Sequence, residues 1–267
     1  MRFTVFGADG FVGKSLVSHL VTSGHEVLTP SREQQYDSST NLGHVIYCIG
    51  VTGSDFLTQQ FKVVEAHVSL ISQVLENCTF SSMVYLSSAR MYEGLPSTAE
   101  GSVFHANTEN ISDFYNLSKL FGESIVLNCG VKNTRVVRVA YAVNLDESST
   151  NYVAVKAREA ASGKVVFQAH RNSVKDYVLL DDVVSLLPKI ATGGKERVYN
   201  IASGVNVSTS EIAHLLKYTT GCAIEFLDTE PCRKPVAIDI SRIRNEFGFQ
   251  PTSVLDYART MLSKDQL

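Results

Sequence analysis

Apolar positions along this chain follow two alternating rhythms. Arg2 to Phe6 is an apolar run of strand length, Phe11 to Thr22 has helical spacing, and His25 to Thr29 is a second short run. The stretch from Ser31 to Leu42 is polar and too short for a full helix and strand, so a trimmed connection is expected. Val45 to Ile49 reads as a strand closed by Gly50. Phe56 to Asn77 reads as one helix, with Phe61, Val64, Val68, Ile71, Val74 and Leu75 near helical spacing. Met83 to Leu86 is a strand, and a loop with Gly94, Pro96 and Gly101 leads to a helix ending near Asn128. Thr134 to Ala140 is the next strand. This alternation predicts an α/β fold, a doubly wound parallel sheet with helices on both faces.

From about Tyr141 the rhythm loosens. Helices are expected over Val153–Ala161 and Asp181–Ile190, and strands over Lys164–Gln168, Val174–Leu179, Val198–Ala202 and Ala223–Leu227. Ser208-Thr209-Ser210-Glu211 has the form of a helix start, a capping hydroxyl ahead of Ile212, Leu215 and Leu216. Two short helices are expected at the end. The expected domains are residues 1–163 and a small α/β lobe over 164–267. The two intermix, with residues 174–190 returning to the first.

Three stretches carry candidate chemistry. Gly7-Ala8-Asp9-Gly10-Phe11-Val12-Gly13 spaces its glycines as G-x-x-G-x-x-G between the first strand and the first helix. Glycines there let the backbone turn tightly and approach a pyrophosphate, and amides at a helix start favour the anion. At the end of the second strand an acid would bind a ribose 2′-hydroxyl, whereas Arg would take a 2′-phosphate. The residues are Thr29-Pro30-Ser31-Arg32, so Ser31 and Arg32 point to NADP, with NAD as the alternative. Tyr115 and Lys119, four residues apart, share a helix face. Val84-Tyr85-Leu86-Ser87-Ser88 is an apolar run ending in two hydroxyls. A phenol of pKa about 10 is a useful acid near neutral pH only if its anion is stabilised. Lys119 would supply that charge and hold a nicotinamide ribose. Ser88 would polarise the substrate oxygen.

This combination resembles the extended short-chain dehydrogenase/reductases, the epimerase/dehydratase family acting on nucleotide sugars. The likeness continues through Leu86–Gly94, Arg135–Ala140, Lys175-Asp176-Tyr177 to Val183, Val198-Tyr199-Asn200 to Gly204, and Asp239 to Pro251. It implies a Rossmann-like domain with a substrate lobe, a cofactor contact at Gly50, and basic side chains holding the sugar's diphosphate. Lys175 and Arg233 stand at those places. It also implies a homodimer. Dehydratases of this family carry Asp-Glu after the hydroxyl at the Ser88 position, and epimerase-reductases carry a catalytic Cys there. This chain has Ala89-Arg90. Plain carbonyl redox remains, and the trimmed segment after the second strand is most like the compact 4-ketoreductases. The expected reaction is therefore NADPH-dependent reduction of a nucleotide-linked 4-keto-6-deoxy sugar, with Tyr115 as proton donor. A C4 epimerase retaining NAD and a non-catalytic NADP-binding regulator are the alternatives.

Composition narrows this little further. The 267 residues are 44% hydrophobic, enough to bury a core. A net charge of −3 without a Lys/Arg run gives no reason to expect nucleic acid. No apolar run nears the roughly 20 residues of a membrane span. The N-terminus enters a strand directly, without a leader pattern. Five cysteines with no C-x-x-C pair suggest a reduced cytoplasm and no metal.

Overall fold

A computed structural model describes residues 1–31, 40–51 and 55–264. β1 (Arg2–Phe6), α1 (Phe11–Thr22), β2 (Glu26–Leu28) and β3 (His44–Tyr47) open the chain. α2 (Gln60–Val64), α3 (Leu70–Asn77), β4 (Ser82–Ser88), α4 (Ile111–Asn128) and β5 (Thr134–Val139) continue the alternation. β6 (Tyr141–Val143), α5 (Tyr152–Ala161), β7 (Lys164–Phe167), β8 (Val174–Leu179), α6 (Leu180–Gly193) and β9 (Val198–Ile201) follow. β10 (Asn206–Ser208), α7 (Thr209–Thr220), β11 (Ala223–Phe226), α8 (Ser241–Phe247) and α9 (Val254–Lys264) complete the described elements.

The central sheet has the order β2-β1-β3-β4-β5-β9. β1 pairs in parallel with both β2 and β3, and β4 in parallel with both β3 and β5. Val5, Val45, Ile46, Tyr47, Met83, Val84 and Tyr85 are fully buried, as strands covered on both faces must be. Phe6, Tyr47 and Tyr85 pack with Ile71 and Val74 of α3 and Val126 of α4. The strand order reverses at β1, between β2 and β3. In such sheets that place is where ligands bind, beyond the carboxyl ends of the strands. The turns holding Gly7 and Gly50 leave from there.

The helix expected over Phe56–Asn77 is broken. A 3₁₀ turn (Asp55–Leu57) and α2 lead into a π turn (Glu65–Ser69), and α3 resumes after it. The broken ladder is compensated by tyrosines from the sheet: Tyr47 Oη donates to the Ala66 carbonyl at 2.7 Å, and Tyr85 Oη to the His67 carbonyl at 3.1 Å. Periodicity misses the break because the inserted residue shifts the apolar face without reversing it.

The chain forms two compact units. The first is Met1–Met91, Val103–Val139 and Val184–Tyr199; the second is Tyr92–Ser102, Ala140–Val183 and Asn200–Leu267. This differs from a cut at 163/164, because β6 leaves the central sheet directly after β5 and pairs with β8. β8 also pairs with β10, so Val174–Leu179 stays in the second unit and the returning stretch is Val184–Tyr199. The second unit has its own core, where Val165, Phe167, Tyr177, Ile212 and Leu216 are buried together. Two of its motif residues act as braces. Asp176 accepts from Ser203 N and Oγ, each at 2.7 Å, and from Gly204 N at 2.8 Å. Asn200 Nδ2 donates to the carbonyls of Thr98 and Asp239, and its Oδ1 accepts from Tyr92 Oη.

Candidate active site

The glycine turn is built by close approach. Gly7 has φ +80°, and a Cβ on it would lie 2.9 Å from Ile49 N. Gly10 N donates to Gly7 O at 3.0 Å, and a Cβ on Gly13 would collide with that same carbonyl. Only glycine at 7 and 13 lets α1 sit this close to β1. Gly10 is the N-cap of α1 and no side chain caps it, so amides at the helix start remain for an anion. Phe11 and Val12 lie in the first turn of that helix. A cavity of about 380 Å³ beside the turn is lined by Ala8, Asp9, Lys14, Thr29, Pro30 and Ser31. This cradle fits a dinucleotide: glycine amides for a pyrophosphate, then a cavity lined by a lysine, an aspartate and two hydroxyl residues. Sequence pattern does not single out Lys14, although it directly follows Gly13. Arg32 lies outside the described residues.

Lys119 and Tyr115 are both buried on α4. Lys119 Nζ donates to the Leu86 carbonyl at 2.9 Å and lies 5.1 Å from the centre of the Tyr85 ring. Burial pulls its pKa down to about 7, against the pull of Glu123 and Cys48. A Cβ on Gly50 would stand 3.5 Å from Lys119 Nζ and 3.4 Å from His67 Nε2, so this turn lies directly against the lysine. Burial also raises the Tyr115 phenol above its ordinary value, while Ser88 and Arg90 oppose the rise. Ser88 ends β4, and its Oγ accepts from Arg90 N at 3.2 Å. The structure thus brings Ser88, Tyr115, Lys119 and Gly50 together. A second cation, Arg90, faces Tyr115, 5.5 Å from its ring centre.

His67 belongs to this cluster, and sequence pattern gives it no functional mark. Ser118 Oγ donates to the Tyr115 carbonyl at 2.7 Å, so His67 Nδ1 is the donor to Ser118 Oγ at 2.9 Å. Its Nε2 then accepts from Val51 N at 3.3 Å. Burial first, and Lys119 second, depress its pKa to about 2, so the ring is neutral. It meets the Tyr115 ring edge-on, with centres 5.4 Å apart. The signal that could have found it is a histidine four residues after Val63 and four before Ile71, on a buried helix face.

Lys175 and Arg233 lie in the second unit, joined by one chain of contacts. Lys175 Nζ sits 4.7 Å from the centre of the Tyr141 ring. Tyr141 Oη donates to Glu93 Oε1 at 3.2 Å, and Glu93 Oε2 is 3.6 Å from Arg233 Nη1.

The sequence pattern of the NAD dependent epimerase/dehydratase family matches residues 3–202. A dTDP-glucose 4,6-dehydratase of Streptomyces griseus is 32% identical over 84 residues, a match spanning 30% of this chain and 26% of that protein. The fold is similar to MoeE5, solved with UDP-glucose and NAD, at TM-score 0.81 and 18% identity, covering 100% of this chain and 99% of that one. It is also similar to RMD from Pseudomonas aeruginosa, solved with NADPH, at TM-score 0.79 and 19% identity, covering 99% and 98%.

Proposed function

The chain belongs to the NAD dependent epimerase/dehydratase family, and from that premise we propose that it reduces the keto group of a nucleotide-linked 4-keto-6-deoxy sugar with NADPH. The observation that carries this reading is the buried cluster of Tyr115, Ser88 and Lys119 beside a glycine turn that accepts a dinucleotide. A bound NADPH supplies the hydride. Gly7, Gly10 and Gly13 admit the pyrophosphate to the start of α1. Lys14 and Ser31, with Arg32, receive the 2′-phosphate, and no acid stands at Thr29-Pro30-Ser31 to favour a free 2′-hydroxyl. Tyr115 gives its proton to the substrate's carbonyl oxygen. Ser88 donates to that oxygen as charge develops on it.

Lys119 orients the ribose and, when protonated, adds positive charge to the site. Lys175 and Arg233 receive the diphosphate of the sugar nucleotide. Ala89-Arg90, in the place of an Asp-Glu pair, separates this reading from the dehydratase activity named for the Streptomyces protein. The same cluster would serve a C4 epimerase retaining NAD, a reading favoured by the acidic residue Asp9, which lines the cavity with Lys14.

The enzyme is further taken as a cytoplasmic homodimer. All five cysteines are free thiols, and Phe61 (92% exposed) and Phe121 (58% exposed) offer apolar surface on the helices expected to pair. Among the described residues no helix is long and apolar enough to cross a membrane. The test is turnover of a panel of 4-keto nucleotide sugars with NADPH and with NADH, with products identified by NMR. Net NADPH oxidation with a higher kcat/KM than NADH supports reduction. Sugar inversion without net cofactor consumption points to the epimerase. Bound cofactor that no keto-sugar oxidises points to a regulator.

A further inference from the structure

Arg90 sits two residues beyond Ser88, on the short 3₁₀ turn that ends β4. Its Cζ lies 4.9 Å from the centre of the Phe56 ring and 5.5 Å from that of Tyr115. Those two rings are 5.4 Å apart and tilted by 52°. Arg90 is half-buried, and among the described residues no carboxylate pairs with it. A cation held against two aromatic faces, with no carboxylate among the described residues to neutralise it, acts on charge that arises beside it.

Besides Phe56, the groups around Tyr115 are titratable or charged side chains and the Ser88 hydroxyl. The end of β4 and the turn after it supply Tyr85, Ser88 and Arg90; the π turn supplies His67; α4 itself supplies Lys119. His67 is neutral and Tyr85 is kept protonated by burial. Lys119 spends its ammonium on the Leu86 carbonyl and the Tyr85 ring.

We propose that Arg90 acts through Tyr115: its guanidinium over the ring stabilises the phenolate left when Tyr115 gives up its proton. This rests on the role of Tyr115 as the acid. In that step the Tyr115 O–H bond breaks and a new O–H bond forms on the substrate oxygen, while the hydride from NADPH goes to the carbonyl carbon. The phenolate that remains is reprotonated from solvent. A neutral phenol attracts the guanidinium only weakly through its ring, whereas the phenolate attracts it as a full charge. The interaction is therefore stronger after proton loss than before it, which is what lowers the barrier to that loss. The backbone N–H of Arg90 holds Ser88 Oγ as an acceptor, which leaves the Ser88 O–H for the substrate's carbonyl oxygen.

The test reads Tyr115 directly, without turnover. Fluorotyrosine placed at position 115 reports its own ionisation by ¹⁹F NMR, and its greater acidity brings the titration toward the range where the protein is folded. Arg90→Ala should raise the midpoint by about one pH unit, as for a group losing an opposite charge at this range. Arg90→Lys should recover part of the shift. Arg90→Met keeps the aliphatic contact with both rings and replaces Arg90→Ala in the comparison if the latter does not fold. In turnover, the alkaline limb of kcat/KM should move up with the same variants. A midpoint that stays put in a folded Arg90→Ala or Arg90→Met protein overturns the proposal. Keto-sugar reduction with an unmoved midpoint refutes only the role of Arg90. A midpoint that moves in a protein that reduces no keto-sugar refutes the reductase reading and leaves the electrostatic link standing.

Discussion

Lys119 carries an amine in a place that disfavours its charge, and this has a measurable consequence. Burial lowers its pKa from 10.5 to about 7. Between those values the unfolded chain holds a proton that the folded protein has lost, so stability rises with pH across the window. The contribution is present above 10.5 and is lost as pH falls through about 7. Denaturant unfolding of the wild type and of Lys119→Met should therefore diverge in favour of the wild type as pH rises, by up to about 1.4 kcal/mol per pH unit. A constant difference across the window would show that the amine keeps its charge when buried. Tyr115 makes a separate prediction. Tyr115→Phe keeps the ring packed against Phe56 and His67 and removes the transferable proton. In the proposed reduction kcat should fall by about 10²–10⁴-fold with NADPH affinity near normal. Full turnover by a folded Tyr115→Phe would remove the acid from the mechanism.

At the scale of elements, α4 is fastened where its functional residues lie. Gly122 lets it approach the π turn, because a Cβ there would strike both the His67 carbonyl and the Tyr85 hydroxyl. The next residue, Glu123, forms a two-pronged ion pair with Arg138 of β5, Nε to Oε1 at 3.0 Å and Nη2 to Oε2 at 2.7 Å. Both side chains are about 5% exposed or less. The desolvation cost makes such a pair a poor source of net stability, but removing the carboxylate leaves the buried Arg138 charge without the anion that balances it here. Glu123→Gln should therefore cost about 3–5 kcal/mol in denaturant unfolding. The exposed Lys164–Glu225 pair is the contrast: Glu225→Gln should cost less than about 1 kcal/mol. Equal costs for the two would show that burial does not govern the Glu123 pair. A brace of this kind holds the helix in register with the sheet, and with it the line from Tyr115 to Lys119.

At the scale of the whole chain, the second unit holds Lys175 and Arg233, which the proposed function gives to the diphosphate of the sugar nucleotide. Arg233 is largely exposed and its partner Glu93 competes for it, so its proposed value is in binding rather than in the chemical step. Arg233→Ala should raise KM for the nucleotide sugar while leaving kcat nearly unchanged, the pattern of lost uniform binding. An unchanged KM would return Arg233 to an ordinary surface charge. A solution mass equal to one chain, measured by light scattering, would remove the dimer.

The sequence by itself determined the alternation of strands and helices, the glycine turn, and the pairing of Tyr115 with Lys119 on one helix. Each of these is local. A period of two or of 3.6, a glycine beside a strand, and an i, i+4 spacing are carried by neighbouring residues. The sequence also determined membership of the family, through motifs spread across the chain. Tertiary structure alone decided what joins those pieces. The π turn within the expected long helix exists because tyrosines of β3 and β4 take its carbonyls. β6 leaves the central sheet because β8 offers it a partner, and the unit boundaries follow from that pairing. Arg90, His67 and Lys14 look like ordinary polar residues in sequence. Their setting comes from rings, carbonyls and turns that lie up to 51 residues away, as His67 and Ser118 do. A side chain's charge and desolvation depend on which atoms surround it in space, and local pattern does not carry that information.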